Sequence, residues 1–588
     1  MSGTGSNLPA GRSIAVTWGL TREFGGMTNA MLRRSRAFVR VGGVPVDVLT
    51  FDARDDYPAV EADLRADGRL IDGIRLRNLW DEVTGMVDPG PVPRQAKERS
   101  LLAFAPLEPS GSSVVLRTAE DGSVLQLDRR RPDGTLAVSD RRDVREPGRV
   151  GGRSIVVCDR RGEALFGFTR PWPFYSWWLD TVIGDDEAHV LVDSKTAANF
   201  VLDYRNPRAT RIHVVHNSHL AGEVRPWGRL KGSRRAVFTR LDEFDGVTVL
   251  SERQREDAIA LLDAGDVLEV VPNSTALPPP APPEVRDPLL GVVVASLDNR
   301  KRVDHAVRAV GEARRAGPEV RLDIYGDGPN RETLGALVDE LGIADVVRFR
   351  GFRPDASDSF GSASFFLLTS RTEGFPLVLA EGMARGCIPL AYDIPYGPAD
   401  LIDSGRTGHL LAPGDIAGLG VRIAEVARAH PDELEVMRAA GRIAATRFSD
   451  EAVVARWAGV LDRSAARARR PRPAFTITVR GGSVASTDSG VRATADFSLA
   501  GVAISPGELD ASLALHATPA TGDGAEVRRH ATVRRTLRHG VWRATAEFPP
   551  EAAALFGADL PDLPELIVRI GARVRRGVAP SGPTPGEE

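Results

Sequence analysis

At 588 residues the chain is too long for one hydrophobic core and asks for about two to four domains. Its 76 Lys and Arg nearly balance 79 Asp and Glu, and the net charge of −3 gives no electrostatic case for binding nucleic acid. The two cysteines, Cys158 and Cys387, lie far apart without metal-ligand spacing, which fits a reducing compartment, with Cys387 read as a small buried hydrophobe. The N-terminus has no long apolar core of a signal peptide, and no window approaches a membrane span. The expectation is a cytoplasmic protein with room for peripheral contact at the inner membrane face.

In chain order, residues 12–18 read as a first strand. The loop 21–29 carries Gly25-Gly26 and leads into a helix over 30–41. A glycine pair between strand and helix lets backbone approach a ligand, although a plain tight turn explains it equally well. Residues 44–51 give a second strand and so a βαβ start to a parallel sheet.

The period then changes. Short alternating runs at 113–117, 124–128, 136–139, 154–159 and 164–169 are parted by turn signals such as Asp121-Gly122 and Asp133-Gly134. They predict an antiparallel β-meander that interrupts the α/β pattern. Trp172, Phe174, Tyr175, Trp177 and Trp178 close it, read as core at a domain junction rather than a sugar-stacking platform.

Buried strands resume at 189–192 and 211–215. The second ends in His216-Asn217-Ser218-His219, and a histidine at the carboxyl end of a parallel strand faces the crevice where such sheets bind ligands. A satisfied structural histidine is the competing reading, above all for His219. A strand at 247–250, a helix at 252–262 and a strand at 268–272 lead to a proline-rich linker, 273–287.

Residues 290–295 open a second α/β region, with strands at 321–325 and 346–349 and a helix at 330–341. The stretch 365–400, FFLLTSRTEGFPLVLAEGMARGCIPLAYDIPYGPAD, reads as a buried strand, a turn, a helix over 377–385 and a strand at 388–392. Pro376 suits a first helical turn and Gly386 a left-handed C-cap. Free N–H groups around Gly374, Phe375, Leu377 and Val378 suit a diphosphate. Helices at 418–430, 432–448 and 451–463 follow, then a basic tether, 463–473, and alternating strands at 474–479, 494–499, 511–516, 531–537 and 541–548. Residues 581–588 look disordered.

Glu373 and Glu381 frame a Glu-x7-Glu pattern across the central turn. EGFPLVLAEGMARG followed by Tyr396-Gly397-Pro398-Ala399-Asp400 resembles the retaining GT-B glycosyltransferases of family 4. YGPAD points to the branch that glycosylates wall teichoic acid and serine-rich adhesins. Two surface glutamates on a solvated helix are the competing reading.

The resemblance implies an α/β GT-B fold of two Rossmann-like lobes, the first at 11–80 and 185–275, the second at 288–445. It implies a β-meander insertion at 81–184 that serves oligomerisation or acceptor binding, hence a homo-oligomer through a β-rich region, and a helix at 446–463 returning to the first lobe. A β-sandwich at 474–580 lies beyond it. The implied reaction moves a hexose or N-acetylhexosamine from a nucleotide-diphosphate donor, UDP-linked, to a hydroxyl of a cell-wall polymer or protein, with retention.

In that reading Lys301 grips the diphosphate, Glu373 lies by the sugar and His216 orients sugar or acceptor, with His219 on the acceptor side. Gly25 and Gly26 lie beside the reacting groups, Gly351 and Phe352 by the nucleobase, and Gly374, Phe375, Pro376, Leu377 and Val378 by the diphosphate. Glu381 takes the ribose. Ser296 stands where relatives carry an arginine, and Arg300 or Arg302 is left to supply that charge. No strand-end Asp-x-Asp is present, so neither metal nor other cofactor is expected, the nucleotide-sugar being a substrate. The alternatives are a GT-B-shaped acceptor-binding partner of an adhesin glycosyltransferase, a protein O-glycosyltransferase, and a structural adhesion protein.

Overall fold

The computed structural model describes residues 8–222, 225–275, 277, 286–471, 475–502, 509–517, 525–536, 541–556, 561–562, 564–570 and 573–578. Pro9–Ile212 forms one compact unit and His213–Glu588 belongs to another.

In the first unit Arg12–Val16 pairs in parallel with Val46–Thr50 on one side and Ala188–Val192 on the other, and Val46–Thr50 pairs with Ile74–Asn78. The two neighbours of the first strand are buried along their whole length, as continuous apolar runs require when helices cover both faces. The helix Gly26–Arg40 starts four residues earlier than expected, because its buried face extends back to Thr28. Gly25 is therefore its N-cap rather than part of a loop.

Val114–Thr118, Val124–Arg130, Leu136–Arg141, Ser154–Cys158 and Ala164–Phe168 form a five-stranded antiparallel sheet in sequential order. The aromatic cluster after it is a helix, Pro171–Ile183, whose Phe174, Tyr175, Trp177 and Trp178 are buried. The Trp178 indole N–H donates to Glu82 at 2.9 Å, which satisfies the one polar atom that burial would strand.

The second unit holds a six-stranded parallel sheet in the order Val347–Gly351, Arg321–Tyr325, Asp287–Val294, Ala363–Leu368, Ile388–Tyr392, His409–Leu411. Successive residues of the central strands feed opposite cores. Val293, Phe365 and Leu367 pack on one side, while Val292, Phe366 and Leu368 pack on the other with Leu379 and Met383. Cys387 joins the second core, and burial pushes its thiol up to about 12. Such a doubly wound sheet collects its loops at the carboxyl ends of the strands, which is where the candidate residues fall.

Two sequence expectations need correction. The tether expected at 463–473 is helical as far as Ala468, within Asp450–Ala468. Its Arg463 and Arg467 reach Glu269 at 2.8 and 2.7 Å, so two residues of the basic run are paired, while Arg469 and Arg470 are exposed. The proline-rich linker falls mostly outside the described residues, and the next strand begins at Asp287, not 290.

Beyond residue 475 lie two four-stranded antiparallel sheets. The strand expected over 531–537 is Thr532–Arg535, and Ala525–His530 just before it belongs to the other sheet. Residues 581–588 lie outside the described residues. Among the described residues no helix is long and apolar enough to cross a membrane.

Candidate functional site

The site grows from the end of the strand Ala363–Leu368. The Thr369 hydroxyl donates to the carbonyls of Lys301 and Arg302 at 3.0 and 2.8 Å, and the Arg371 N–H donates to the Arg300 carbonyl at 2.7 Å. The loop after the strand Asp287–Val294 is thus tied to the loop that leads to Glu373. Within it, Asp298 accepts the N–H groups of Arg300 and Lys301 at 2.9 and 3.1 Å and the Ser296 hydroxyl at 2.8 Å. Burial alone would raise the Asp298 carboxyl, but these hydrogen bonds and the Arg300 charge outweigh it, and its pKa lies below the usual range.

So held, Lys301 places its Nζ 2.6 Å from Glu373 Oε1, and Arg300 places Nη1 3.4 Å from Glu373 Oε2. Glu373 is 9% exposed and Lys301 17%, whereas Arg300 stays 47% exposed. Ser296, exposed and bonded to Asp298, contributes no charge here.

The helix beyond is Leu377–Ala384, capped by Pro376, and opens at the residue expected from sequence. The N–H groups of Leu377 and Val378 occupy its first positions, where the helix supplies no acceptor. The Phe375 side chain is 7% exposed and packs 5.3 Å from the Phe448 ring, so what it can offer at the helix start is its main chain. Gly374 is needed for packing: a Cβ there would overlap the His216 carbonyl oxygen. Glu381 lies half-buried on the helix, two turns beyond Glu373.

His216 is 8% exposed and follows the strand Ala209–Val214, its carbonyl against Gly374. His219 is fully buried. Its ring stacks on Phe238 at 5.2 Å and on Tyr396 at 6.0 Å, and burial pushes its pKa down to about 3. The ring is held between apolar faces, and neither of its nitrogens has a hydrogen-bond partner among the described residues, so it is buried without being satisfied.

Gly351 has φ +72 with open space around its α-carbon, a conformation that favours glycine, and Phe352 beside it is 75% exposed. Gly25 and Gly26 have open space as well, and no positive φ. Among the described residues no cluster of His, Cys, Asp and Glu suits a metal ion.

Sequence reasoning took YGPAD as a family marker and missed what it touches. The Tyr396 phenol donates to Asp257 at 2.6 Å and Asp400 accepts the Glu252 N–H at 2.6 Å, both on the helix Glu252–Leu262. One signal existed: Gln254 and Asp257 fall on the buried stripe of that helix with Ala258 and Leu261, and polar residues on such a stripe need partners.

Cations converging on a carboxylate in front of a helix start, at the carboxyl ends of a parallel sheet, go with a glycosyltransferase fold of the GT-B-like α/β type. The chain superposes on a mutant of S. aureus TarM, in complex with fondaparinux, alpha-GlcNAc-glycerol and UDP, with a TM-score of 0.57 at 17% identity, over 77% of this chain and 100% of that one. Residues 280–443, which hold Ser296, Arg300, Lys301, Glu373 and Glu381, match the model for glycosyl transferases group 1. The chain is 32% identical over 271 residues to an exopolysaccharide phosphotransferase of Streptomyces coelicolor, covering 45% of this chain and 27% of the relative. It is 25% identical over 276 residues to the poly(glycerol-phosphate) alpha-glucosyltransferase of Bacillus subtilis, covering 46% and 40%. The matches thus span less than half the length of these curated relatives.

Proposed function

We propose that the chain is a retaining glycosyltransferase that moves a hexose or N-acetylhexosamine from a UDP-linked donor to a hydroxyl of a polyol-phosphate polymer such as teichoic acid. The observation that carries this is the meeting of Lys301 and Arg300 on Glu373, within the group 1 segment and ahead of the Leu377–Ala384 helix.

Breaking the bond between the sugar's anomeric carbon and the diphosphate leaves negative charge on phosphate oxygens. Lys301, Arg300 and the first N–H groups of the helix meet that charge, and preorganised donors of this kind are worth roughly 3 kcal/mol each. The acceptor oxygen bonds to the anomeric carbon on the face the diphosphate leaves, and the hydroxyl proton passes to the departing phosphate oxygen. Glu373, released from its cations, steadies the positive charge that develops on the sugar. Glu381 accepts from the ribose hydroxyls. His216 orients sugar or acceptor, and Phe352 beside Gly351 flanks the nucleobase. At Gly25 and Gly26 neither positive φ nor a neighbouring atom calls for glycine, which supports close approach by a bound group. With cations from the chain on the diphosphate, the reaction runs without metal.

The polymer acceptor is supported by the name of the Bacillus subtilis relative, and the five-stranded sheet supports the insertion read at 81–184 as an oligomerisation or acceptor-binding part. The two C-terminal sheets form the accessory sandwich of this scheme. The protein works in the cytoplasm against the inner membrane face, where such polymers are built.

The test is a panel of UDP- and GDP-sugars with and without poly(glycerol phosphate), reading released nucleoside diphosphate and the product's anomeric configuration by NMR. Release of UDP that rises with the polymer, and an alpha linkage from an alpha donor, are expected. No release from any donor overturns the proposal.

A further inference from the structure

The helix Glu252–Leu262 grips both halves of the site. On one side Gln254 Nε2 donates to the Asn217 carbonyl at 3.0 Å, the residue directly after His216. On the other side it holds the chain around YGPAD at three points: Arg253 pairs with Asp393, Asp257 accepts the Tyr396 phenol, and the Glu252 N–H donates to Asp400.

The central point is the most sheltered. Tyr396 is fully buried and Asp257 is 3% exposed. Arg225 closes on the same carboxylate with Nε at 2.6 Å and Nη2 at 2.9 Å, and its guanidinium lies 5.4 Å from the centre of the Tyr396 ring. Asp257 thereby accepts three charge-assisted or phenolic hydrogen bonds, a geometry that leaves the tyrosine little freedom.

What Tyr396 holds in turn is Glu373. The Glu373 N–H donates to the Pro395 carbonyl at 3.1 Å, and the Tyr396 N–H donates to the Glu373 carbonyl at 2.9 Å. The main chain of Glu373 is thus fixed from both sides by the dipeptide whose side chain is locked to Asp257. One residue on, Gly374 lies against the His216 carbonyl, so a shift of this turn changes the spacing between His216 and Glu373.

We propose that Tyr396, locked by Asp257 and Arg225, is a positioning residue that fixes the Glu373 carboxylate relative to His216. This rests on the reading of Glu373 as the group beside the transferred sugar. The Tyr396 side chain acts through the Glu373 main chain, while the main chain of Lys301 and Arg300 is anchored separately by Asp298 and Thr369. Its loss therefore falls on turnover and does not weaken nucleotide binding. A misplacement of about 1 Å in such a site costs up to roughly a hundredfold in rate.

The experiment compares Tyr396→Phe, Asp257→Asn and the double variant in the full chain. Each single variant is expected to lower kcat roughly tenfold to a hundredfold while donor KM and UDP affinity stay within about twofold, and the double variant to cost no more than the worse single one. Parallel loss of UDP binding and turnover, or additive losses in the double variant, would overturn the clamp. A readout independent of activity is amide hydrogen exchange of the peptide containing Glu373 and Gly374 in the unliganded protein. Faster exchange there in Tyr396→Phe, with unchanged exchange in strands of the six-stranded sheet, supports the clamp. Unchanged exchange at Glu373 overturns it, even if no sugar donor is ever turned over. If Tyr396→Phe fails to fold, Asp257→Asn decides by the same two readouts.

Discussion

Lys301 and Glu373 stand 72 residues apart in the chain and meet at 2.6 Å, with Arg300 on the other carboxylate oxygen. Glu373 is thus the counter-ion of the cations assigned to the diphosphate. A bound donor must take those cations from it, and this competition separates its two effects.

Glu373→Gln is accordingly expected to bind UDP as tightly as the wild type or up to about tenfold more tightly, since one charge-assisted pair no longer has to be broken. Turnover is expected to fall by roughly a hundredfold or more, because the carboxylate by the sugar is lost. Calorimetric titration with UDP and a UDP-release assay check the two halves. Weakened UDP binding in Glu373→Gln would remove Glu373 from its counter-ion role.

The cation expected at position 296 is absent, and Ser296 bonds Asp298 instead. Arg300 is the cation that does reach Glu373 beside Lys301. Arg300→Ala is therefore expected to weaken donor use roughly tenfold to a hundredfold, the cost of one charge-assisted phosphate contact, and Arg302→Ala to weaken it less. Ser296 is exposed, so Ser296→Arg has room to be tolerated or to improve donor use. Full activity in Arg300→Ala together with a dead Ser296→Arg would show a site shaped around a small residue.

The parts legible in the sequence were those set by local pattern. The buried strands around Phe365 and Ile388 and the Pro376 boundary follow from apolar runs broken by Gly and Pro, while Ser296, Lys301 and Glu373 were singled out by the family resemblance. What was not legible depends on distant partners. Glu373 as counter-ion to Lys301 is a contact across 72 residues, and Asp257 meets Tyr396 across 139. His219 looked like His216 because both follow one strand, and only the rings of Phe238 and Tyr396 decide that it is core. The packing of the Phe375 side chain was hidden the same way, since Phe448 arrives from later in the chain.

Glu526 supplies a pH test of the C-terminal sheets. It is 3% exposed, its Oε1 has no hydrogen-bond partner among the described residues, and burial drives its pKa from 4.5 up to about 7 despite Arg528 and Arg576 nearby. The fold keeps the proton to about pH 7 while the unfolded chain releases it near 4.5. The stability from the protonated group is therefore complete below pH 4.5 and lost as pH rises through 7. Glu526→Gln stays neutral throughout, so its stability relative to the wild type should grow by about 1–3 kcal/mol between pH 4.5 and 8. Calorimetric melts across that range check it, and a pH-independent offset would contradict it.

The last expectation concerns how the C-terminal sheets are tied to Asp242. Asp242 is 6% exposed overall, and its carboxylate meets Arg528 and Arg569 at 3.3 Å and Arg576 at 3.2 Å. All three arginines come from beyond residue 475, and Arg528 Nε and Arg529 Nη1 also donate to the Leu262 and Ala260 carbonyls at 2.5 Å. Burial would raise the Asp242 carboxyl, yet the three guanidinium groups hold it far below the usual range. In the full chain Asp242→Asn leaves three arginines around a neutral group and is expected to cost about 3 kcal/mol or more, as for breaking a buried ion pair from one side. In a chain ending at residue 471 the three arginines are gone, and water takes their place around Asp242. There the same substitution is expected to leave Tm nearly unchanged, because a carboxylate freed of the covering sheets is solvated by water. Thermal melts of the four proteins at pH 7 decide the matter: a substitution that destabilises both lengths alike would mean that the arginines do not act through Asp242.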